Sequence, residues 1–145
     1  MFANVRREIR EREKEMQRPN VAIVIKFYEA LGRKDARALA EFCAQDIEIH
    51  QSAELPWGGD YQGAEQAMVF FGKVASFIDS KVTIDNILDA GDSVAVIGRT
   101  AGKVKATGAD FDVPLVHHWT LRDSKITGLT VLLDNVLILP ALAHV

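Results

Sequence analysis

The apolar positions of the chain change period once. Up to about residue 78 they recur at helical spacing, and beyond it they alternate. Val21, Val24, Ile25, Tyr28 and Leu31 mark a helix that opens at Pro19-Asn20, with Gly32 as its expected stop. Asp35 has the character of an N-cap for a second, short helix that turns Leu39, Phe42 and Cys43 inward. Ile47 and Ile49 alternate with Glu48 and His50, the pattern of a short strand. Residues 54–63 read as a loop by their glycines and proline, although they carry Trp57 and Tyr61. A third helix is expected over 64–78, with Ala67, Phe71, Val74 and Ile78 on one stripe.

Residues 81–89, 93–104, 111–122 and 126–134 are rich in Val, Ile, Leu and Thr and are divided by Gly-Asp and Asp-Ser punctuation. Such short connections leave no room for crossover helices, so the strands are expected to pair antiparallel. Three helices followed by an antiparallel sheet define an α+β architecture with helices on one sheet face. In the last strand Leu129, Val131 and Leu133 are expected on one side, and Ile126, Thr130 and Leu132 on the other. Helices can cover only one of two apolar faces, which points to a homodimer formed through the sheet.

Composition narrows the classes of function. The chain has 145 residues, 48% hydrophobic and 26% charged, suited to a single domain. Its net charge of -3 supplies no excess of cations for nucleic acid and no polybasic stretch for an anionic membrane. Residues 6–18 hold six basic and four acidic side chains, a local +2, and we divide the chain into a charged helical extension, 1–18, and a domain, 19–145. In the extension Phe2, Val5, Ile9 and Met16 share one helical face, with i,i+4 pairs Arg7–Glu11 and Glu8–Arg12. No secretory signal or membrane-spanning run is evident, and a cytoplasmic setting is expected. Cys43 is the only cysteine, so no internal disulfide and no cysteine-based zinc site can form.

Candidate chemistry is sparse. His117 and His118 are neighbours in a strand and leave on opposite faces, so they cannot share a metal, and no other histidine has ligand spacing. His117 falls on the more apolar side with Val113, Leu115, Trp119 and Leu121, where a satisfied core histidine and a catalytic one are both open readings. His118 is expected at the surface or an interface. Asp134 ends one apolar run and precedes another; it is either a buried acid/base or the cap of a short C-terminal helix. Nucleophile-elbow and phosphate-cradling motifs are absent.

The run Phe27-Tyr-Glu-Ala-Leu-Gly-Arg-Lys-Asp-Ala-Arg-Ala-Leu39 resembles the opening helix pair of SnoaL-like proteins in the nuclear-transport-factor-2-like superfamily. Phe42-Cys-Ala-Gln-Asp-Ile-Glu-Ile-His50, Pro56-Trp-Gly-Gly-Asp-Tyr-Gln-Gly63, His117-His-Trp-Thr-Leu-Arg-Asp-Ser-Lys-Ile126 and Asp134 continue the likeness over residues 20 to about 142. It implies a cone: three N-terminal helices packed on a curved antiparallel sheet, enclosing an apolar pocket and commonly dimeric. The scaffold hosts several activities, so each is tested on residues. Steroid isomerases place a tyrosine on the first helix and an aspartate on the first strand, where this chain has Phe27 and His50 or Gln51. Epoxide hydrolases of this fold use an Asp-Arg-Asp set, of which Arg99 and Asp134 match while Ala101 does not.

Polyketide-cyclase-like chemistry needs only an acid/base in the pocket, without metal or cofactor. The resemblance therefore implies Asp134 as acid/base, His117 as its partner and Arg99 as the stabiliser of developing charge. Trp57, Tyr61, Trp119, Tyr28 and His50 would line a site for a small hydrophobic carbonyl compound. The competing expectation is a non-catalytic ligand carrier or dimerisation module, in which Arg99 and Asp134 simply pair.

Overall fold

The computed structural model describes residues 4–10 and 18–143. Residues 4–10 form a helix, α1, exposed along its length. The stripe and ion pairs expected of the extension depend on residues 2, 11, 12 and 16, which lie outside the described residues.

Helix α2 spans Pro19–Arg33 and buries Val21, Val24, Phe27 and Ala30. It runs past Gly32 and ends where Lys34 turns left-handed, with φ of 56°. Asp35 caps α3, Ala36–Phe42, by accepting a hydrogen bond from the Ala38 N–H at 3.1 Å. Cys43, expected at the end of that helix, is instead the first residue of strand β1, Cys43–Gln51. It is buried there and gives its thiol hydrogen to the Leu39 carbonyl. Strand β2, Gly59–Gln62, precedes helix α4, Ala64–Phe77. Strands β3 (Ile78–Asp89), β4 (Ser93–Val104), β5 (Asp110–Arg122) and β6 (Lys125–Leu133) follow. A short helix α5, Asn135–Ile138, and a 3₁₀ turn over Leu139–Leu142 complete the described chain.

The sheet order is β2-β1-β6-β5-β4-β3. Every pairing is antiparallel except that of β1 with β6, which is parallel. The exception has a simple cause: no hairpin joins β1 to β6, so no tight turn dictates their relative direction. Helices α2 and α4 cover one face, where Phe27, Ile47, Ile49, Trp57, Trp119 and Ile126 lie in a single apolar core. Edge-to-face rings knit this layer together, with Phe27 against Trp119 and Phe42, and Phe70 against Tyr61 and Phe71.

One facing is corrected. Ile126 lies in the core, together with Leu129 and Val131, instead of on the opposite side. The β5–β6 register shifts between Thr120/Gly128 and Leu121/Ile126, so β6 carries an extra residue there and the alternation is reset.

Candidate functional site

On β5 the side chains of Val113, Leu115, His117, Trp119 and Leu121 all turn inward and are buried. Tyr28, at the edge of the apolar stripe of α2, reaches across to this row. Its ring lies nearly parallel to the imidazole of His117, with centroids 5.8 Å apart and planes within 9°. The Tyr28 hydroxyl lies 2.6 Å from His117 Nδ1, and the Trp119 indole N–H donates to that hydroxyl at 3.1 Å. Three residues from two elements thus meet as one hydrogen-bonded group.

Protonation follows from burial. With 9% of its surface exposed, His117 sits where charge is costly, and desolvation lowers its pKa to about 4. The ring is therefore neutral near pH 7 and carries one N–H. Burial likewise pushes the Tyr28 phenol up, against a smaller opposing effect of the Trp119 hydrogen bond, so it keeps its proton. An indole N–H can only donate, and among the described residues the phenol hydrogen has no acceptor other than His117 Nδ1. Trp119 thus donates to Tyr28 and Tyr28 to His117, which assigns the imidazole hydrogen to Nε2. That Nε2–H has no partner among the described residues. Since no sealed side-chain nitrogen or oxygen lacks one among the described residues, it keeps contact with solvent.

A second tryptophan holds a second polar group on the inner face. The Trp57 indole N–H donates to Gln51 Oε1 at 2.8 Å, and Tyr61 donates its hydroxyl hydrogen to the Trp57 carbonyl at 2.8 Å. Trp57 and Tyr61 are accordingly core residues that brace the loop between β1 and β2.

The other expected members are elsewhere. Asp134 is half-buried and caps α5, accepting from the Leu137 N–H at 3.2 Å, so its carboxylate turns to the helix and not to His117. Arg99 stands on the outer face of β4 and donates to the carboxylate of Asp112 at 2.8 Å and to its carbonyl at 3.1 Å. The expected pairing of Arg99 with Asp134 is not formed. His50 also points outward, hydrogen-bonded to Asp60. A cleft of about 560 Å³ lies on that outer face, floored by Gly128 and walled by Glu48, His50, Asp60, His118 and Thr130. The inner face, where a hollow was expected, is closely packed with aromatic rings and retains polar groups at Tyr28, His117 and Gln51. Among the described residues no group of three or more His, Cys, Asp or Glu side chains could hold a metal ion. No described helix is long and apolar enough to cross a membrane.

Helices packed on one face of a six-stranded mixed sheet define the class: a nuclear-transport-factor-2-like fold. The SnoaL-like domain family matches residues 24–129, and the chain belongs to that family. An NTF2-like protein from Burkholderia xenovorans is 28% identical, superposes with a TM-score of 0.77, and is matched over 86% of this chain and 96% of its own. A protein from Jannaschia classed as a SnoaL-like polyketide cyclase is 21% identical, with TM-score 0.77 over 89% of this chain and 94% of its own. TerC, co-crystallised with polyporic acid, is 21% identical, with TM-score 0.79 over 87% and 99%. No curated protein matches the chain.

Proposed function

We propose that this SnoaL-like protein binds a small hydrophobic carbonyl compound at the edge of the His117 ring that stays in contact with solvent, the rest of the inner sheet face being packed, and promotes proton transfer on it without a cofactor. What supports this is the buried, uncharged His117 ring, hydrogen-bonded to Tyr28 at Nδ1 and with no partner for Nε2 among the described residues. Such a group donates to a carbonyl oxygen. Donation acidifies the neighbouring C–H, whose proton passes to solvent water, and stabilises the enol or enolate through which isomerisation and aldol-type ring closure pass. An uncharged donor suits this role because it enters the apolar interior without the desolvation cost of a cation. His117 therefore acts as an electrophile and not as a base. The similarity to a protein classed as a polyketide cyclase, and to TerC with its bound polyporic acid, supports ligands of this kind.

Exchange of the α-hydrogens of 1-tetralone in D₂O, followed by proton NMR, tests this directly. The wild-type chain should accelerate exchange, and His117→Phe should lower the acceleration at least tenfold. Binding of the ketone with no accelerated exchange would establish the alternative, a non-catalytic carrier. Failure to bind would remove both readings.

The proposal extends to assembly as a homodimer through the outer sheet face. Support comes from Ile97, Val116 and Leu132, which form one cross-strand row there, two of them exposed. A cytoplasmic setting completes the reading, supported by a lone cysteine with no disulfide partner.

A further inference from the structure

The apolar row Ile97–Val116–Leu132 on the outer sheet face is too small to hold two copies of the chain together by itself. Three strands wide and one pleat long, it projects about 100 Å², whereas a stable interface takes about 800 Å² from each partner. A second copy must therefore cover neighbouring rows as well, and the charges decide in which direction. Towards one end of the strands stand Arg99 and Lys103 of β4 with Asp112 and Asp110 of β5, joined in ion pairs. Covering them carries a desolvation cost. Towards the other end the next row is Ala95–His118–Thr130, followed by Ser93–Thr120–Gly128. The three rows form a three-by-three grid on β4, β5 and β6 that carries no fixed charge, with His118 at its centre. A charge-poor middle inside a charged border is the composition of an interface core.

Beyond Gly128 the surface dips into the cleft of about 560 Å³, which His118 lines and which Glu48, His50 and Asp60 close on the far side. Neither ring nitrogen of His118 bonds to a described residue. Its outer-face neighbours are Val116 and Thr120 on its own strand, Ala95 on β4 and Thr130 on β6, all uncharged. The charged groups around the grid are engaged elsewhere: Asp60 with His50, Arg122 with Asp46, Arg99 with Asp112 and Lys125 with the Glu41 carbonyl. Glu48 is on β1, separated from His118 by the whole of β6. An imidazole changes charge between about pH 5 and 8, and an imidazolium covered here meets no counter-charge on its own subunit.

We infer that a second copy of the chain covers this grid and seals His118 in the contact, so that the two copies hold together at neutral pH and separate on acidification; this rests on the dimer proposed above. The sign follows from linkage: the separated chain binds a proton that the covered ring refuses, so falling pH favours separation. His50 has no such effect, because a proton there completes an ion pair with Asp60. His117 stays neutral over this range, since burial lowers its pKa to about 4.

Sedimentation equilibrium at pH 7.5 and 5.5 over a concentration series tests the inference. The wild-type dissociation constant is expected to rise at least tenfold at the lower pH. In His118→Gln, whose side chain stays neutral, it should change by less than threefold. Both chains keep His50 and His117, so an effect arising from those rings would appear in both. Carbethoxylation of His118 by diethyl pyrocarbonate at pH 7, read by mass spectrometry, needs no His118 variant. It should be at least tenfold slower in the wild-type dimer than in monomeric Leu132→Arg. A dissociation constant unchanged by pH, an equal response in His118→Gln, or a dimer with His118 unprotected would overturn the role of His118 and leave the dimer standing. A wild-type chain that is monomeric at both pH values would overturn the dimer itself.

Discussion

At the scale of single residues, His117 makes stability depend on pH in a definite direction. Its folded pKa of about 4 lies below the ordinary value of 6.5, owing to burial. As pH falls through 6.5 the unfolded chain takes up a proton that the folded chain refuses until about 4. Between these limits the unfolded state binds more protons, so stability is lost as pH drops, and this group costs nothing further below pH 4. The shift corresponds to about 3 kcal/mol at most. Urea denaturation at pH 7 and 4.5 should therefore show a larger loss in wild type than in His117→Phe; equal losses would contradict the burial of a neutral ring. Asp134 gives the complementary case. As a helix cap, its replacement by alanine should cost about 1 kcal/mol of stability, with Asp134→Asn close to wild type in both stability and α-hydrogen exchange. A hundredfold loss of exchange in Asp134→Asn would restore the carboxylate to the chemistry. The sequence left capping and catalysis equally open for this residue, because both place a carboxylate between apolar runs. Only the direction of the Leu137 N–H separates them. The Tyr28–His117 contact was out of reach for a different reason: its partners are 89 residues apart, and strand alternation assigns a face but not a neighbour across the core.

At the scale of elements, periodicity located nearly every helix and strand, since an element that must bury one face writes its period into the chain. It missed by small local devices. Lys34 ends α2 in a left-handed conformation two residues beyond the glycine expected to do so. The extra residue in β6 turns Ile126 inward, and no composition rule marks a bulge. The glycines of β4 are such a device with a measurable effect. A Cβ at Gly98 would lie 2.1 Å from the Thr83 carbonyl oxygen, and one at Gly102 would lie 2.0 Å from that of Asp79. Both obstacles are backbone of β3, which cannot rotate aside as a side chain does. Gly98→Ala is therefore expected to destabilise the fold by about 1–3 kcal/mol through overpacking, whereas Gly72→Ala, with open space around the added atom, should not. Thermal denaturation of the pair checks this, and a neutral Gly98→Ala would show that β3 and β4 can separate at little cost.

At the scale of the whole molecule, the two sheet faces differ in how they are covered. The inner face is packed against α2 and α4, with Ile138 of α5 and Leu142 of the C-terminal turn also in the core. Among the described residues the outer face has no such cover. Leu132 is 56% exposed there, Ile97 and Leu88 are also exposed, and Val136 on the adjoining α5 is 82% exposed. Polar residues surround this area, with the Arg99–Asp112 and Lys103–Asp110 pairs on the β4–β5 side and His118, Thr130 and His50 along the neighbouring row. Apolar surface inside a polar rim is the composition of an interface core. A two-fold partner sets the same patch against itself, so a single substitution acts twice. Leu132→Arg would place two like charges where the patches meet, and their desolvation without counter-charge is costly. Sedimentation at micromolar concentration should show a 32 kDa species, twice the 16.0 kDa chain, for wild type and a monomer for Leu132→Arg. The same variant should retain the acceleration of α-hydrogen exchange, because Leu132 points away from His117. A monomeric wild-type chain would end the dimer proposal without touching the inner site. Loss of ligand binding on dissociation would show instead that the two faces are coupled through the sheet they share.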